Sequence, residues 1–457
     1  MMTESQRAAL AEYAAVKGQC PARERLAALF DDGVYTETGS NLRAGENLAG
    51  VVTAYGYIGG TPAYAFSQDS TVMKGAVSLA HSAKICKMFE LAARNGVPVV
   101  GIYDSCGAFV EDGADALNAY SDILLSMGSL SGVVPMVSVI SGVCAGTMAM
   151  IASSADFSVI TEGAELYLDA SGNNASAESA AKSGAVSAYA KSDAEAMDTV
   201  RRYLSLMPQN NLSPLPEFEF DAPVSAAFDN AENAAESIAD AGSILEVYGE
   251  YGTASYTALC TVSGVTAGIA ATNKTKDKLT SADCSKIARF VRLCDAYSIP
   301  VITVADTEGF DLHGADMVRA GAALAGAYAE ASCAKIALVS GKACGMAYIA
   351  FAGRNVAADA VYALSEAVIA PMDPVSAAEF LYHDKLKGAD DLAAARAQIA
   401  KEYAENEGSA FAAAAKGAAD EVVTAENVRA AVASVLDVTA GKRLNKRLPK
   451  KHNILPL

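Results

Sequence analysis

Four short junctions in this chain combine glycine with small residues in a way that brings backbone N–H groups within reach of a ligand. They are Ser105-Cys106-Gly107-Ala108, Cys144-Ala145-Gly146, Thr307-Glu308-Gly309 and Cys344-Gly345-Met346-Ala347. Small side chains allow close approach of the main chain, and a helix beginning there adds its dipole. Two such amides aimed at one point make an oxyanion hole, which stabilises an enolate without an acidic side chain. Glycines also serve tight turns, and each junction read singly says no more than that; their recurrence as a matched pair favours the ligand reading. No nucleophile with its base competes. The chain has no GxSxG, P-loop or HExxH motif and no usefully spaced carboxylate pair, and His81, His313, His383 and His452 stand alone, as structural histidines do. Nine cysteines show neither CxxC nor metal-type spacing with the histidines.

The elements that must position these junctions occur twice. Lys84–Gly107 aligns without a gap to Lys286–Gly309, at an offset of 202 from Lys84 to Lys286, matching Ile85/Ile287, Leu91/Leu293, Pro98/Pro300 and Asp104/Asp306. Gly60–Phe66 fits Gly264–Ala270 at 204, and Val137–Met148 fits Ile336–Ala347 at 199. A drifting offset near 200 is a duplicated domain with loop insertions, not a solenoid. Each copy predicts a helix, a proline-led strand and a turn: Ser78–Asn95 with Gly96 as C-cap, then Val97–Tyr103, recurring at Cys284–Ala305. Gly50–Asp69 predicts a hairpin about Gly59-Gly60. Further helices are expected over Met2–Lys17, with a Thr3/Gln6 capping box, and over Ala22–Phe30, Asp193–Ser205, Asp390–Glu407 and Ala425–Val438. The proline-rich stretch Gln209–Pro223 is the expected linker, placing domains at 1–223 and 224–457.

A net charge of −18 argues against nucleic acid and anionic membranes as partners. Hydrophobic content of 52% suits large buried cores. Reduced, mostly buried thiols and the absence of a visible export signal suggest a cytoplasmic protein. From Asp122 to Asp156 no charge intervenes, long enough to imitate a membrane span. Pro135 and four glycines within it argue instead for a buried strand, a turn and a helix. The basic end, Lys442–Leu457, reads as a solvated or partner-binding tail.

These residues resemble the carboxyltransferase subunits of biotin-dependent acyl-CoA carboxylases and decarboxylases, such as the propionyl-CoA carboxylase β subunit and the methylmalonyl-CoA decarboxylase α subunit. The stretches that carry the likeness are 22–33, 50–72, 84–108, 139–146, 200–211, 286–310, 341–348 and 446–457, in family order across nearly the whole chain. The resemblance implies an α/β protein of two tandem crotonase-like (ClpP/crotonase) domains, with acyl-CoA on the first and biotin on the second. It implies a site between the first domain of one subunit and the second of its dimer partner, in a homo-oligomer built on dimers, with a hexamer among the assemblies allowed. By position, Cys106 and Gly107 would supply the amides for the thioester oxygen, and Met346 and Ala347 those for the biotin ureido oxygen. Ala145, Gly146 and Gly345 would line the substrate, Ile349 would wall the acyl pocket, and Arg23, Arg25 and Lys74 would meet the CoA phosphates. The implied mechanism needs no side-chain base: loss of CO₂ from carboxybiotin leaves a basic ureido nitrogen that takes the α-proton, and the enolate captures the CO₂. No metal is implied. No Met-Lys-Met and no ATP-grasp segment occurs, so the biotin would sit on a separate biotin carboxyl carrier protein, served by a biotin carboxylase or a membrane decarboxylase subunit.

Some positions depart from the family. Where it commonly reads Ser-Gly-Gly-Ala-Arg, this chain has Ser105-Cys106-Gly107-Ala108-Phe109; where it reads Gly-Gly-Ala-Tyr, Gly345-Met346-Ala347-Tyr348. The segments after Phe310 and after Asp169 are shorter. Three readings therefore stand side by side: a carboxylating transferase, the α subunit of a sodium-pumping decarboxylase running the same transfer in reverse, and a non-catalytic scaffold with a degraded pocket. A crotonase-type hydratase is disfavoured, since the turns hold no acid/base pair.

Overall fold

The computed structural model describes residues 2–169, 175–275, 277–311, 316–354 and 358–442. His313, His452 and the basic tail beyond Lys442 lie outside the described residues. The chain divides into two compact units, Met1–Pro214 and Leu215–Leu457. The division falls inside the proline-rich stretch, ahead of residue 223, because Phe218 already donates its N–H to Gly264 of the second unit at 2.8 Å.

In the first unit one sheet runs, in spatial order, through Tyr35–Thr38, Val51–Ile58, Thr61–Gln68, Val99–Ser105, Met136–Ala145, Phe157–Thr161 and Ala188–Ala190. The hairpin about Gly59-Gly60 is antiparallel, and every pairing after it is parallel. Strand Val99–Ser105 is buried along its whole length, as a central parallel strand must be, so its sequence shows no alternation. Helix Leu79–Asn95 starts where the Ser78 hydroxyl accepts from His81 N–H and stops at Gly96, whose φ of 61° ends it. Its face of Ile85, Phe89 and Ala92 packs into the core, where Phe66 meets Phe89 and Tyr103 edge-on at 5.9 and 5.5 Å. The charge-free stretch folds as the end of helix Asp115–Leu130, strand Met136–Ala145 and the short helix Thr147–Ser153. Among the described residues no helix is long and apolar enough to cross a membrane.

The second unit repeats the plan. Its sheet runs through Leu245–Glu246, Tyr256–Val262, Val265–Ala271, Val301–Ala305, Lys335–Val339, Ala360–Leu364 and Glu421–Val423, again antiparallel at first and then parallel. Helix Ser281–Ala296 takes the place of Leu79–Asn95. Each of these helices buries a lysine. Lys84 Nζ donates to Val51 O, and Lys286 Nζ donates to Ser255 O at 2.9 Å and Gly252 O at 3.3 Å. Burial pushes both ammonium groups down to about 8. The repeated Lys84/Lys286 match is thus a strut between helix and hairpin.

Candidate active site

Each unit ends its central strand in the same turn. Strand Val99–Ser105 runs into Cys106-Gly107, and strand Val301–Ala305 into Glu308-Gly309. In the first, Val77 N–H donates to Gly107 O and Phe109 N–H to Val77 O; in the second, Leu279 N–H donates to Gly309 O and Asp311 N–H to Leu279 O. A hydroxyl braces each turn from inside: Gly107 N–H reaches Ser105 Oγ at 3.2 Å, and Gly309 N–H reaches Thr307 Oγ1 at 3.1 Å.

Beneath each turn sits an aspartate. Asp104 accepts from Ser70 Oγ at 2.8 Å and Arg25 Nη1 at 2.9 Å. Asp306 accepts from Asn273 Nδ2 at 2.6 Å and from Lys342 N–H at 2.8 Å. The neighbouring strand passes so close that only glycine fits: a Cβ on Gly142 would stand 2.3 Å from Asp104 Oδ1, and one on Gly341 2.3 Å from Asp306 Oδ1. The aspartate therefore fixes the spacing between the strand-end turn and the second junction. At that junction Gly146 and Gly345, both at positive φ, start the short helices Thr147–Ser153 and Met346–Phe351.

An account of the main-chain donors decides which amides are open. Cys106 N–H donates to Lys74 O at 3.1 Å, Gly146 N–H to Tyr167 O at 2.9 Å and Gly345 N–H to Ala370 O at 2.9 Å. With Gly107 held by Ser105, the N–H groups of Cys106, Gly107 and Gly146 are already bonded in this conformation. The amides without a partner among the described residues are Ala108, Thr147 and Met148 in the first unit and Glu308, Phe310, Met346, Ala347 and Tyr348 in the second. Ala108, Thr147 and Met148 correspond to Phe310, Met346 and Ala347 at offsets of 202 (108 to 310) and 199 (147 to 346). Met346 and Ala347 are among the donors expected from the sequence; in the first unit the expected donors Cys106 and Gly107 are bonded, and the open amides are Ala108, beside Gly107, and Thr147 and Met148, which follow Gly146, expected only to line the substrate. The signal lay in the repeat itself, since carrying Met346 back by 199 lands on Thr147.

The cations also sort themselves. Every nitrogen of Arg25 is engaged, Nη1 on Asp104, Nε on Asp193 at 3.2 Å and Nη2 on Ser141 O at 2.9 Å. Arg23 forks onto Glu37 at 2.9 and 3.0 Å and donates to Gly18 O. Both serve as internal struts here. Lys74 is exposed, and its ammonium has no partner among the described residues. Ile349 is 53% exposed, one helical turn from Gly345. No cluster of three or more potential metal ligands occurs among the described residues.

Gln68 joins the first turn to the buried histidine, His81. Asp104 N–H donates to Gln68 Oε1 at 3.1 Å, which leaves Gln68 Nε2 to face His81 Nε2 at 3.2 Å. His81 must then present Nε2 as an acceptor, the neutral tautomer protonated on Nδ1. Burial, reinforced by the Lys84 charge, holds its pKa down at about 3. His383, by contrast, is exposed.

Residues 14–455 match the carboxyl transferase domain family. The chain belongs to that family. It is 33% identical to the methylmalonyl-CoA decarboxylase α subunit of Propionigenium modestum, over 96% of this chain and 94% of that one. It is equally 33% identical to the methylmalonyl-CoA carboxyltransferase 12S subunit of Propionibacterium freudenreichii subsp. shermanii, over 96% and 92%. A crystal structure of transcarboxylase 12S, described as a hexamer with methylmalonyl-coenzyme A and methylmalonic acid bound, superposes with a TM-score of 0.90 at 31% identity, covering 100% of this chain and 99% of that one. The carboxyltransferase is thus an enzyme of two crotonase-like units.

Proposed function

We propose that this carboxyltransferase moves a carboxyl group between carboxybiotin, borne on a separate carrier protein, and a short acyl-CoA. The observation that carries the reading is the duplicated set of open amides. Ala108 with Thr147 and Met148 would receive the thioester oxygen as it becomes an enolate; Phe310 with Met346 and Ala347 would receive the ureido oxygen as carboxybiotin loses CO₂. Both charges develop only along the reaction, so fixed donors favour the transition state over the ground state. The α-proton passes to the ureido nitrogen, so the transfer needs no side-chain base. Lys74 is the cation left to meet a CoA phosphate. The methylmalonyl-CoA and the hexamer named for the transcarboxylase structure support a malonyl-type product and a homo-oligomer. Relatives are named both for decarboxylation and for carboxyl transfer; in this reading the partner, a biotin carboxylase or a membrane subunit, sets the direction.

The test is release of CO₂ from malonyl- and methylmalonyl-CoA with excess biotin or biotinylated carrier. Zero turnover by a folded sample with every short acyl chain would leave the scaffold reading. Ala347→Pro removes one donor at a position where a helix tolerates proline, and should lower turnover about 10²–10³-fold with CoA affinity retained.

A further inference from the structure

Lys342 holds three consecutive residues of the second turn. Its N–H donates to Asp306 Oδ1 at 2.8 Å, its carbonyl accepts from Thr307 N–H at 2.8 Å, and its ammonium donates to Glu308 Oε2 at 2.8 Å. The same ammonium pairs with Asp373 Oδ2. Asp373 Oδ1 in turn accepts from Val375 N–H at 2.9 Å and caps helix Pro374–Leu381. The Lys342 side chain is 23% exposed and that of Glu308 60%, so the cation is the anchored partner and the glutamate the movable one. Any residue at 342 could make the two main-chain bonds; only the third needs a lysine. What that third bond does follows from the donors around it. Glu308, Phe310, Met346 and Ala347 all leave N–H groups open, and a carboxylate is a strong acceptor for such groups. A glutamate can fold back onto a main-chain N–H three residues away, as in a capping box, and Phe310 is only two away. The first unit supplies the contrast. Position 308 matches Cys106 at an offset of 202, and position 342 matches Val143 at 199. There the acid and the cation are absent together, as a restraint and the group it restrains would be.

We propose that Lys342 is a positioning residue for the carboxyl transfer: it holds the Glu308 carboxylate off the open amides of the second turn and so keeps them clear for the ureido oxygen. The inference rests on the assignment of biotin to this turn. Released, Glu308 would take the donors of its own turn, and its charge would stand against the negative charge that develops on the ureido oxygen. Asp373 fixes the ammonium from the other side, so the cation cannot swing away with the carboxylate. A partly exposed ion pair of this kind adds little to stability. Its effect lies in where a negative charge stands, and it belongs to the second unit alone.

The test is steady-state decarboxylation of methylmalonyl-CoA by the full chain over a range of free biotin, with Lys342→Met, Lys342→Arg and the double variant Lys342→Met/Glu308→Ala. Lys342→Met should lower kcat/KM for biotin about 10–100-fold, the scale of a charge-assisted hydrogen bond that the ligand must displace. CoA affinity, measured by calorimetry, and the melting temperature should stay near those of the wild type. Lys342→Arg keeps the cation and should keep most of the activity. The double variant should recover most of what Lys342→Met loses, because the competing carboxylate is gone. A lysine that served only as a strut would leave the double variant as impaired as the single one, and that result overturns the proposal. Should Lys342→Met fail to fold, Lys342→Gln with and without Glu308→Ala gives the same comparison. Biotin-dependent turnover that the loss of Lys342 leaves unchanged refutes this inference alone. Wild-type turnover that does not respond to biotin refutes the biotin assignment beneath it.

Discussion

Replacing His81 by glutamine removes a buried imidazole that the fold requires to stay neutral, and the effect should be read as a change in acid sensitivity. In the wild type, Asp104 N–H fixes Gln68, and the Gln68 amide then faces His81 Nε2. A proton on Nε2 would set donor against donor in a site closed to water. The folded pKa is about 3 against an ordinary 6.5, whereas the unfolded chain takes up its proton near the ordinary value. Because the folded value is depressed, the contribution is fully present above about pH 6.5 and is lost as pH falls toward 3. The difference of about 3.5 units corresponds to about 5 kcal/mol over the whole window, at about 1.4 kcal/mol per pH unit. Between about pH 7 and pH 4.5, some two units below the ordinary value, the wild type should lose about 3 kcal/mol that His81→Gln keeps, since glutamine can offer an oxygen to Gln68 without titrating. Urea midpoints followed by tyrosine circular dichroism give both slopes, the chain having no tryptophan. Carboxylates titrate alike in the two proteins and cancel in the difference. Parallel slopes would refute the neutral-tautomer argument, whatever the absolute stabilities.

Three further outcomes follow from the same geometry. Lys286 has the same sign in a higher pH window: its ammonium is disfavoured by burial, so the wild type gains stability as pH rises from about 8 toward 10.5, by up to about 3 kcal/mol, and Lys286→Met should flatten that rise in pH-dependent melting. Gly341→Ala would set a Cβ 2.3 Å from Asp306 Oδ1; the strand must shift, costing about 1–3 kcal/mol and spoiling the second turn, so turnover with carrier biotin should fall more than CoA affinity. Arg25→Ala should lower the melting temperature, in line with a loss of about 3–5 kcal/mol for stranding Asp104 and Asp193, and a variant with unchanged stability but weakened CoA binding would restore Arg25 to the phosphate site.

The frame of this enzyme was legible wherever the chain punctuates itself. Ser78, Gly96 and Pro98 mark one helix and the strand behind it, and the same order after Thr280 marks its twin. Gly59-Gly60 marks the hairpin. Helices Asp115–Leu130 and Asp316–Glu330 were missed because alanine, serine and glycine dilute their apolar stripes, and no strong cap announces the first. The open amides lie at or just beyond the small-residue junctions that the sequence singles out. Sequence shows which residues are small but not which N–H groups neighbouring strands have already taken. Tyr167 O and Ala370 O lie on strands that pair only once the fold has formed, and their hold on Gly146 and Gly345 moves the open amides into the helices that follow. Arg23 and Arg25 misled for a similar reason: their carboxylate partners Glu37, Asp104 and Asp193 are distant in sequence, and a side chain committed inside looks the same in a sequence as one left free.

The aspartate–glycine bracket beneath each turn bears on how such an enzyme can change. Asp104 with Gly142, and Asp306 with Gly341, hold the main chain where it is irrespective of the side chains displayed above it. Positions 106 and 308 already differ, cysteine against glutamate, as do 147 and 346, threonine against methionine, while the brackets below them are alike. Mutational libraries confined to those four upper positions should retain expression and folding at high frequency while their members diverge in what they accept, whereas libraries at the brackets should yield mostly unfolded protein. A duplicated chain built in this way separates the question of where a ligand is held from the question of which ligand it is.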